Sequence, residues 1–177
     1  ALRQRPWGGA NFDVVKAWDA MPRDALFNIA RHQHLPSDML AAYGAFQALC
    51  SIRIQLAGGL GAAWQAVTGI FQGCSLSHAF RELLSKAWQG HMVQLGLCAF
   101  RLADDLTITT DADEEEALFS SITLGAEETA SFTDSLASDL APDKGFQWAN
   151  RRRVRDHLRS WRLRGCRVAV KNNHRQL

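Results

Sequence analysis

Three aspartates stand where a carboxylate could do chemistry. Asp104 and Asp105 adjoin each other at the end of an apolar stretch, and Asp13 lies within a short mixed stretch much earlier in the chain. Carboxylate oxygens are the ligands that Mg²⁺ prefers, whereas crowded carboxylates without a cation repel one another and raise their pKa values. An adjoining aspartate pair is nevertheless common, and by itself it is more often a solvated turn than a metal site.

A basic segment at the C-terminal end is the second candidate feature. The chain carries a net charge of +2, but residues 151–177 contain ten lysines and arginines and one acidic residue. Such a cluster, with Trp148 just before it and Trp161 within it, suits a phosphate backbone. A solvated tail, or a basic helix face that pairs with the acidic body, explains the charges equally well. The candidate nucleic-acid-binding residues are Arg151, Arg152, Arg153, Arg155, Arg159 and Arg162.

Hydrophobic periodicity predicts the elements that would position the aspartates. A short strand is predicted over residues 10–15. A buried strand over 97–102 and an extended segment over 106–110 place Asp104 and Asp105 near a hairpin tip. Between these strands we predict a helix from Pro22 to His34, a helix from Ser37 to Cys50, a hairpin from Ile52 to Val67, and a helix from Ser77 to about Gly96.

The second half of the chain continues the mixed pattern. It predicts a helix over 111–137, in which Gly125 is a candidate break, and a turn from Pro142 to Gly145. A short strand over 146–148 and a basic helix over 151–162 follow, and Cys166, Val168 and Val170 alternate as a final strand. Strands and helices interspersed in this way predict an α+β fold.

Length and composition exclude several classes of protein. With 177 residues, 47% of them hydrophobic, the chain can build the single core of one domain. No apolar run reaches the roughly 18 to 20 residues that cross a bilayer, and the N-terminus lacks a signal-peptide core, so we expect a soluble intracellular protein without membrane contact. The four cysteines form no CxxC pair, which argues against a zinc module and a disulfide scaffold.

Three segments, in order, resemble the palm motifs of one family. Residues 11–19, NFDVVKAWD, resemble the first motif, D-x-x-K-A-F-D, of reverse transcriptases of the non-LTR retrotransposon and mobile-intron kind. Residues 69–80, GIFQGCSLSHAF, resemble the second, G-x-x-Q-G-x-P-L-S-P-x-x-F, and residues 102–105, LADD, resemble the third, Y/F-A-D-D. Each match alone is weak, but the three in this order are specific. The departures from these motifs remove no metal ligand.

The resemblance implies an RNA-directed DNA polymerase that joins a primer 3′-hydroxyl to the α-phosphate of an incoming deoxynucleoside triphosphate. The partners would be an RNA template and a DNA primer. The cofactors would be two Mg²⁺ or Mn²⁺ ions held by Asp13 and Asp104, with Asp105 as a weaker third ligand. Two such ions, roughly 3.5 to 4 Å apart, clamp the attacking and leaving oxygens of the transfer.

Four further residues take nucleotide-binding roles by their place in the resemblance. Trp18 would pack under the nucleotide sugar and exclude a 2′-hydroxyl, while Gln72 and Gly73 would lie along the template and the nascent base pair. Lys144, in a loose match to a fourth motif, would protonate or neutralise the pyrophosphate. Three of them also have a structural explanation: a core aromatic for Trp18, an ordinary turn for Gly73 and a surface lysine for Lys144.

The resemblance implies a palm with a small antiparallel sheet, helices packed on one face and the active site on the open face. Residues 1–150 would form the reverse transcriptase palm core, and 151–177 a basic segment that could begin a thumb, with fingers and thumb largely missing. The alternative function is a catalytically inactive nucleic-acid-binding remnant of a retroelement. An RNA-dependent RNA polymerase is a third option, to which Gln72, Gly73 and Trp18 are less well suited.

Overall fold

The computed structural model describes residues 5–102, 104–141 and 143–172, apart from the side chain of Asn172. The predictions that involve Ala103, Pro142 and Arg175 lie outside these residues. The described helices are α1 (Arg23–His32), α2 (Ser37–Leu49), α3 (Ser75–Gln94), α4 (Glu115–Ser135) and α5 (Arg152–Ser160). The described strands are β1 (Trp7–Asp13), β2 (Gln55–Leu56), β3 (Gly59–Leu60), β4 (Cys98–Leu102), β5 (Asp105–Asp111), β6 (Phe146–Ala149) and β7 (Ala169–Asn172).

The chain divides into two compact units. The sheet unit combines the residues up to 15 with those from 85 onward, and the helical unit comprises residues 16–84. β1 and β4 to β7 lie in the sheet unit with α4 and α5, whereas α1, α2 and the short β2–β3 hairpin lie in the helical unit. Helix α3 contributes residues to both. None of the helices within the described ranges is sufficiently long and apolar to span a membrane.

The sheet of the sheet unit has the strand order β4-β5-β1-β6-β7. The first four strands pair antiparallel, as predicted, and follow the β-α-β-β-α-β plan when the helices between them are included. Strand β7 instead pairs parallel with β6, so the sheet is mixed rather than wholly antiparallel. The reason is the crossover through α5, which carries the chain back to the end of the sheet where β6 begins, so that β7 runs in the same direction as β6.

Alternation along the strands separates a buried face from an open face. Ala10, Ala99, Ile108 and Gln147 are buried on one face, where α4 packs against β1 and β5 and α5 against β6 and β7. Burial of apolar side chains between these layers is the main source of the unit's stability. The described helices α4 and α5 therefore cover one face, and the other remains open, as predicted.

Helix α4 runs without interruption through Gly125, so the candidate break there is wrong. A Cβ atom at Gly125 would lie 2.4 Å from Ile108 Cδ1 and 2.7 Å from Leu97 Cδ1. The glycine therefore lets the helix lie close to the sheet. The same helix is tied to α3, because Trp88 Nε1 donates a hydrogen bond to Thr129 Oγ1 at 3.0 Å.

The hairpin predicted from Ile52 to Val67 is much shorter in the structure. β2 and β3 contribute two residues each, and Ile52 pairs with Trp64 only through an isolated bridge. Leu56 and Leu60 are exposed. A two-stranded ribbon with no apolar layer on it gains too little burial to extend its ladder, which explains the difference.

The basic helix predicted over 151–162 forms as α5, and Val154 and Leu158 on it are buried. The final strand starts later than predicted, at Ala169. Leu163 and Cys166 form an isolated bridge that closes a tight turn, so the first part of the alternating pattern belongs to this turn.

Candidate active site

Strand pairing brings the three predicted catalytic aspartates to one end of the sheet. Asp13 ends β1, Asp105 begins β5, and these two residues are direct antiparallel partners. Asp105 is also the partner of Leu102 in β4, so Asp104 lies in the connection between β4 and β5. The structure thus supplies the proximity that a shared site needs, and the catalytic role of the three residues stays a prediction.

The aspartates lie in an electrostatically unfavourable arrangement. Burial, followed by repulsion from Asp104 and from Asp13, raises the pKa of Asp105 above its usual value. The side chain of Asp13 is only 15% exposed. Its Oδ2 atom is buried and has no partner of acceptable hydrogen-bond geometry among the described residues. A buried, under-compensated carboxylate is costly, so this end of the sheet attracts cations.

Lys144 is the cation that contacts this group, with Nζ 3.0 Å from Oδ2 of Asp13. The distance is that of a charged hydrogen bond but the angles are poor, so we describe the contact as an ion pair. Hydrogen-bonding attraction to Asp13, and next the charge of that carboxylate, raises the pKa of Lys144. Asp143 and Asp104 contribute further in the same direction. Lys144 therefore belongs to the electrostatics of the aspartate site.

The turn that carries Lys144 is attached to the backbone of Asp13. The amide of Ala141 donates to the carbonyl of Asp13 at 2.8 Å, and the amides of Lys144 and Gly145 donate to the carbonyl of Ala141 at 3.2 and 3.0 Å. One residue beyond the Val14–Leu140 bridge, the amide of Val15 donates to the carbonyl of Asp139 at 2.8 Å. Because all of these bonds are between backbone groups, they hold the turn beside the aspartates independently of the position of the Lys144 side chain.

The oxygens at this end of the sheet fit a hard divalent cation. Such a cation would give Oδ2 of Asp13 a partner and would relieve the repulsion that acts on Asp105. Within the described ranges, no group of three or more acidic, histidine or cysteine side chains is arranged to hold a metal ion by itself. A closed site is not required for Mg²⁺, which keeps several waters and takes one or two carboxylates together with substrate phosphates.

The open face beside the aspartates is partly apolar and aromatic. Leu102 is 77% exposed, and Phe100 on the same strand is also exposed. On β6, the rings of Phe146 and Trp148 lie with centroids 5.6 Å apart, and Lys171 Nζ lies 3.5 Å from the Phe146 centroid. Flat rings with a nearby cation are suited to stacking with bases, so this face is compatible with a bound single strand.

Trp18 lies in the helical unit and is buried. Its ring meets His78 edge-on, with centroids 4.7 Å apart, and the guanidinium carbon of Arg81 is 5.4 Å from the ring centroid. Nη1 of Arg81 also donates to the carbonyl of Ala17 at 3.4 Å. Trp18 is therefore a core aromatic held by its neighbours, and its role toward a nucleotide sugar stays a prediction.

Gln72 and Gly73 are exposed and lie directly before α3. The segment leading to them is fixed inside the helical unit, because the amide of Ile70 donates to the carbonyl of Trp18 at 2.8 Å. The amide of Gly69 likewise donates to the carbonyl of Met21 at 2.9 Å. The bond from Ile70 to Trp18 thus joins the second motif to the first, while Gln72 and Gly73 remain exposed.

Two residues that sequence reasoning did not single out hold this segment. Gly69 has φ of +79°, and a Cβ atom there would lie 2.5 Å from the carbonyl oxygen of Asp19, so only glycine fits. Arg23 donates from Nε to the carbonyl of Gly69 at 2.6 Å and from Nη2 to that of Thr68 at 3.3 Å. Gly69 stands inside the second motif and could have been found there, whereas Arg23 carries no local signal.

The six candidate nucleic-acid-binding arginines differ in their surroundings. Arg152 and Arg159 flank Asp156, with nitrogen to oxygen distances of 3.7 and 2.5 Å. Nη1 of Arg155 donates to the carbonyl of Ala149 at 2.7 Å, and Arg162 donates to carbonyls at the end of α5. Arg153 is exposed, and no partner is recorded for it in the described part of the chain.

The basic segment also pairs with the acidic helix α4. Arg151 Nε lies 4.0 Å from Glu115 Oε1, and His157 Nδ1 lies 3.9 Å from Glu116 Oε2. Arg164 forms an ion pair with Asp134, and the hydrogen bond from Arg164 lowers the pKa of that carboxyl. Part of the basic charge is therefore compensated within the protein, as the alternative explanation of the segment requires.

Comparison with known proteins finds a structural likeness only. No protein-family model and no curated protein sequence matches the chain. Apo telomerase of Candida tropicalis, truncated from its C-terminal domain, matches with a TM-score of 0.63 and 14% identity over 81% of this chain and 31% of that chain. Telomerase of the same organism in complex with the TWJ fragment of telomeric RNA matches with a TM-score of 0.64 and 12% identity over 84% and 26%.

A further telomerase structure of Candida tropicalis, in the apo state, matches with a TM-score of 0.59 and 13% identity over 80% of this chain and 28% of that chain. The chain thus spans less than a third of the telomerase chains that it matches. At these identities the likeness concerns the fold alone. The chain's fold resembles the matched part of these telomerase chains, and its elements confirm the predicted α+β fold, which is compatible with a palm.

Proposed function

We propose that this chain is the catalytic palm core of an RNA-directed DNA polymerase of the non-LTR retrotransposon or mobile-intron kind. It would extend a DNA primer on an RNA template with deoxynucleoside triphosphates. The observation that carries the proposal is the pairing of Asp13 with Asp105, next to Asp104, on a polymerase fold. The order of the three motifs along the chain supports the same function.

The aspartates would bind two Mg²⁺ or Mn²⁺ ions, which supply charge stabilisation to the attacking and leaving oxygens of the transfer. Asp13 and Asp105 belong to adjacent strands joined by backbone hydrogen bonds. Their carboxylates are therefore held in place before any substrate arrives, and little reorganisation is needed during the reaction. Asp104, in the connection between β4 and β5, would contribute its carboxylate to the same ions.

Lys144 would act on the leaving group. Its turn is attached to the backbone of Asp13, so its ammonium would lie close to phosphates bound at the aspartates. The pKa of Lys144 is raised, chiefly by attraction to Asp13, and the side chain is accordingly protonated near neutral pH. An ammonium in that position can neutralise the pyrophosphate or give it a proton.

In the helical unit, Trp18 would pack against the sugar of the nucleotide, while Gln72 and Gly73 would lie along the template and the nascent pair. The contacts of Trp18 with His78 and Arg81 support a selective role, because a ring that cannot shift rejects an additional hydroxyl better than a mobile one. The exposure of Gln72 and Gly73 supports their access to nucleic acid.

Primer extension on an RNA template with Mg²⁺ tests the proposal. Asp104→Ala should lower the extension rate by roughly 100-fold or more, as expected for loss of a ligand of catalytic metal ions. Asp111→Ala is the matched control, because Asp111 ends β5, the strand that Asp104 directly precedes, and pairs there with Arg5. Its rate should stay within about threefold of the unsubstituted chain. Extension that survives Asp104→Ala would remove the proposed catalytic role.

Nucleic-acid binding without catalysis is the second candidate function, and the exposed Arg152 and Arg153 favour it. It predicts that the unsubstituted chain binds RNA but extends no primer with either Mg²⁺ or Mn²⁺. It also predicts that Asp104→Ala leaves RNA affinity unchanged or increases it, because a negative charge is removed from a nucleic-acid surface.

A further inference from the structure

The ion pair between Asp13 and Lys144 joins a fixed group to a movable one. The Asp13 side chain is 15% exposed and sits on a strand paired on both sides, whereas the Lys144 side chain is 67% exposed on a turn. A lysine side chain has a flexible four-carbon stem, so its ammonium can move away from Asp13 by rotation about side-chain bonds alone. The carboxylate has no comparable freedom.

We propose that Lys144 is an exchangeable internal counter-ion: its ammonium occupies Oδ2 of Asp13 in the metal-free protein and gives up this oxygen when a divalent cation binds. The inference rests on the proposed function, in which Asp13 is a metal ligand. It adds that the Lys144 ammonium competes with the metal ion for Asp13, and that this competition lowers the affinity of the site for the metal.

Competition follows from the chemistry of the shared oxygen. Lys144 is the only described cation recorded within ion-pair distance of Asp13, and Oδ2 has no well-formed hydrogen bond of its own. An ammonium and a metal ion on the same oxygen would repel each other at close range. Whichever binds excludes the other, and the doubly charged ion has the stronger attraction to two or three neighbouring carboxylates.

The displaced ammonium would remain in the site. The turn is held by the bond from Ala141 to the Asp13 carbonyl, which involves no side chain of Lys144. Asp143 and Asp104 also attract the lysine, as their effect on the Lys144 pKa shows, so it has other carboxylates nearby after leaving Oδ2. Lys144 would thus become free to contact a phosphate only after the metal ion has bound at Asp13. Metal binding would therefore precede the contact of Lys144 with the phosphate.

Binding of Mn²⁺ alone, at fixed pH, tests the proposal through the electron paramagnetic resonance signal of the free ion. Lys144→Met should bind Mn²⁺ roughly three- to tenfold more tightly than the unsubstituted chain, because the competing charge is gone. Lys144→Arg keeps the charge and should stay within about twofold of the unsubstituted chain. Lys86→Met is the matched control, since Lys86 is exposed on α3 with no ion pair recorded in the described ranges, and it should change nothing.

Thermal melting supplies a second readout that needs no activity. Without metal, Lys144→Met should melt at a lower temperature than the unsubstituted chain, because Asp13 loses its counter-ion. Saturating Mn²⁺ should abolish this difference. On an Asp13→Asn background the Lys144→Met substitution should have no effect on the melting temperature with or without Mn²⁺.

The outcomes separate the two proposals. Equal Mn²⁺ affinity for Lys144→Met and the unsubstituted chain, together with loss of binding in Asp13→Asn, overturns the counter-ion and leaves the polymerase proposal standing. Weaker binding by Lys144→Met also overturns it, because the lysine would then assist metal binding. Absence of Mn²⁺ binding by every variant overturns the proposed function and the counter-ion with it.

Discussion

The aspartate end of the sheet and the basic C-terminal segment differ in how far their charges are compensated by neighbouring groups. At the aspartate end, Asp105 is repelled by its neighbours and Asp13 Oδ2 is buried with one poorly aligned cation beside it. In the basic segment, most arginines already have a carboxylate or a carbonyl. The negative charge at the aspartate end is only partly offset by neighbouring cations. Most of the positive charge of the basic segment is already offset by carboxylates or carbonyls of the protein.

The comparison shows that charge density alone is a poor guide to where a ligand binds. The basic segment has the larger formal charge, yet its arginines pair with Asp156, Glu115 and Asp134. Surface pairs of this kind contribute little to stability but lower the charge that is available to a ligand. The smaller acidic cluster is the stronger candidate site because Lys144 offsets only part of its charge and Asp105 is still repelled by its neighbours.

The largest expected effect is the loss of nucleotidyl transfer on neutralising one charge at the aspartate end. Asp13→Asn should lower the primer-extension rate by roughly 100- to 10,000-fold, because it removes a ligand for both proposed ions. Arg153→Gln neutralises one charge of the basic segment and should change the rate by no more than about threefold. Similar losses for both substitutions would erase the distinction between the two regions.

Deleting the basic segment would not be a clean test of RNA binding, because residues 152–172 include the buried Val154 and Leu158 and the sheet strand β7. Surface substitutions avoid this difficulty. Neutralising Arg153 to Gln should flatten the plot of log affinity for single-stranded RNA against log salt by about 0.7 in slope, which corresponds to one lost phosphate contact.

Arg164→Gln is the matched control for that salt titration, since Arg164 pairs with Asp134 and has its charge compensated. Its slope should stay within about 0.3 of the unsubstituted chain. An equal change for the paired and the exposed arginines would show that compensation does not decide which of them meets RNA.

Asp105→Asn should stabilise the metal-free protein near neutral pH by roughly 1 to 3 °C in melting temperature. The pKa of Asp105 is raised in the folded chain, so the folded state binds the proton more tightly than the unfolded state does. Stability due to this group is present at low pH and is lost as the pH rises through the folded pKa. The advantage of the substitution should therefore disappear in acid, and an advantage that grows in acid would contradict the proposed repulsion.

The smallest expected effect is that of Arg164→Gln on stability, at most about 1 °C in melting temperature for an exposed pair. Arg164 lowers the pKa of Asp134, so the pair stabilises the fold above the ordinary pKa of an aspartate. That contribution is lost as the pH falls through the folded pKa, and the difference between variant and unsubstituted chain should close there. Circular dichroism melts at several pH values measure it.

Much of the fold could be predicted, because its elements follow local rules. The helices over 23–32, 37–49 and 75–94 formed near their predicted positions, since apolar residues at helical spacing and the preceding Pro22 and Pro36 act within a few residues. The hairpin ending in Asp104 and Asp105 also formed as predicted. The extent of the 52–67 hairpin was wrong, because strand length depends on what packs against the strand.

By itself, the sequence determined which carboxylates are candidates for chemistry and which predicted elements carry them: Asp13 on one strand, and Asp104 and Asp105 near the tip of a hairpin. Only the tertiary structure decided that Lys144 reaches Asp13, that Arg23 holds Gly69, and that the arginines of α5 are largely compensated. The physical reason is range. Periodicity and turn chemistry act between near neighbours in the chain, whereas charge compensation depends on which distant surfaces are brought within a few ångströms of each other.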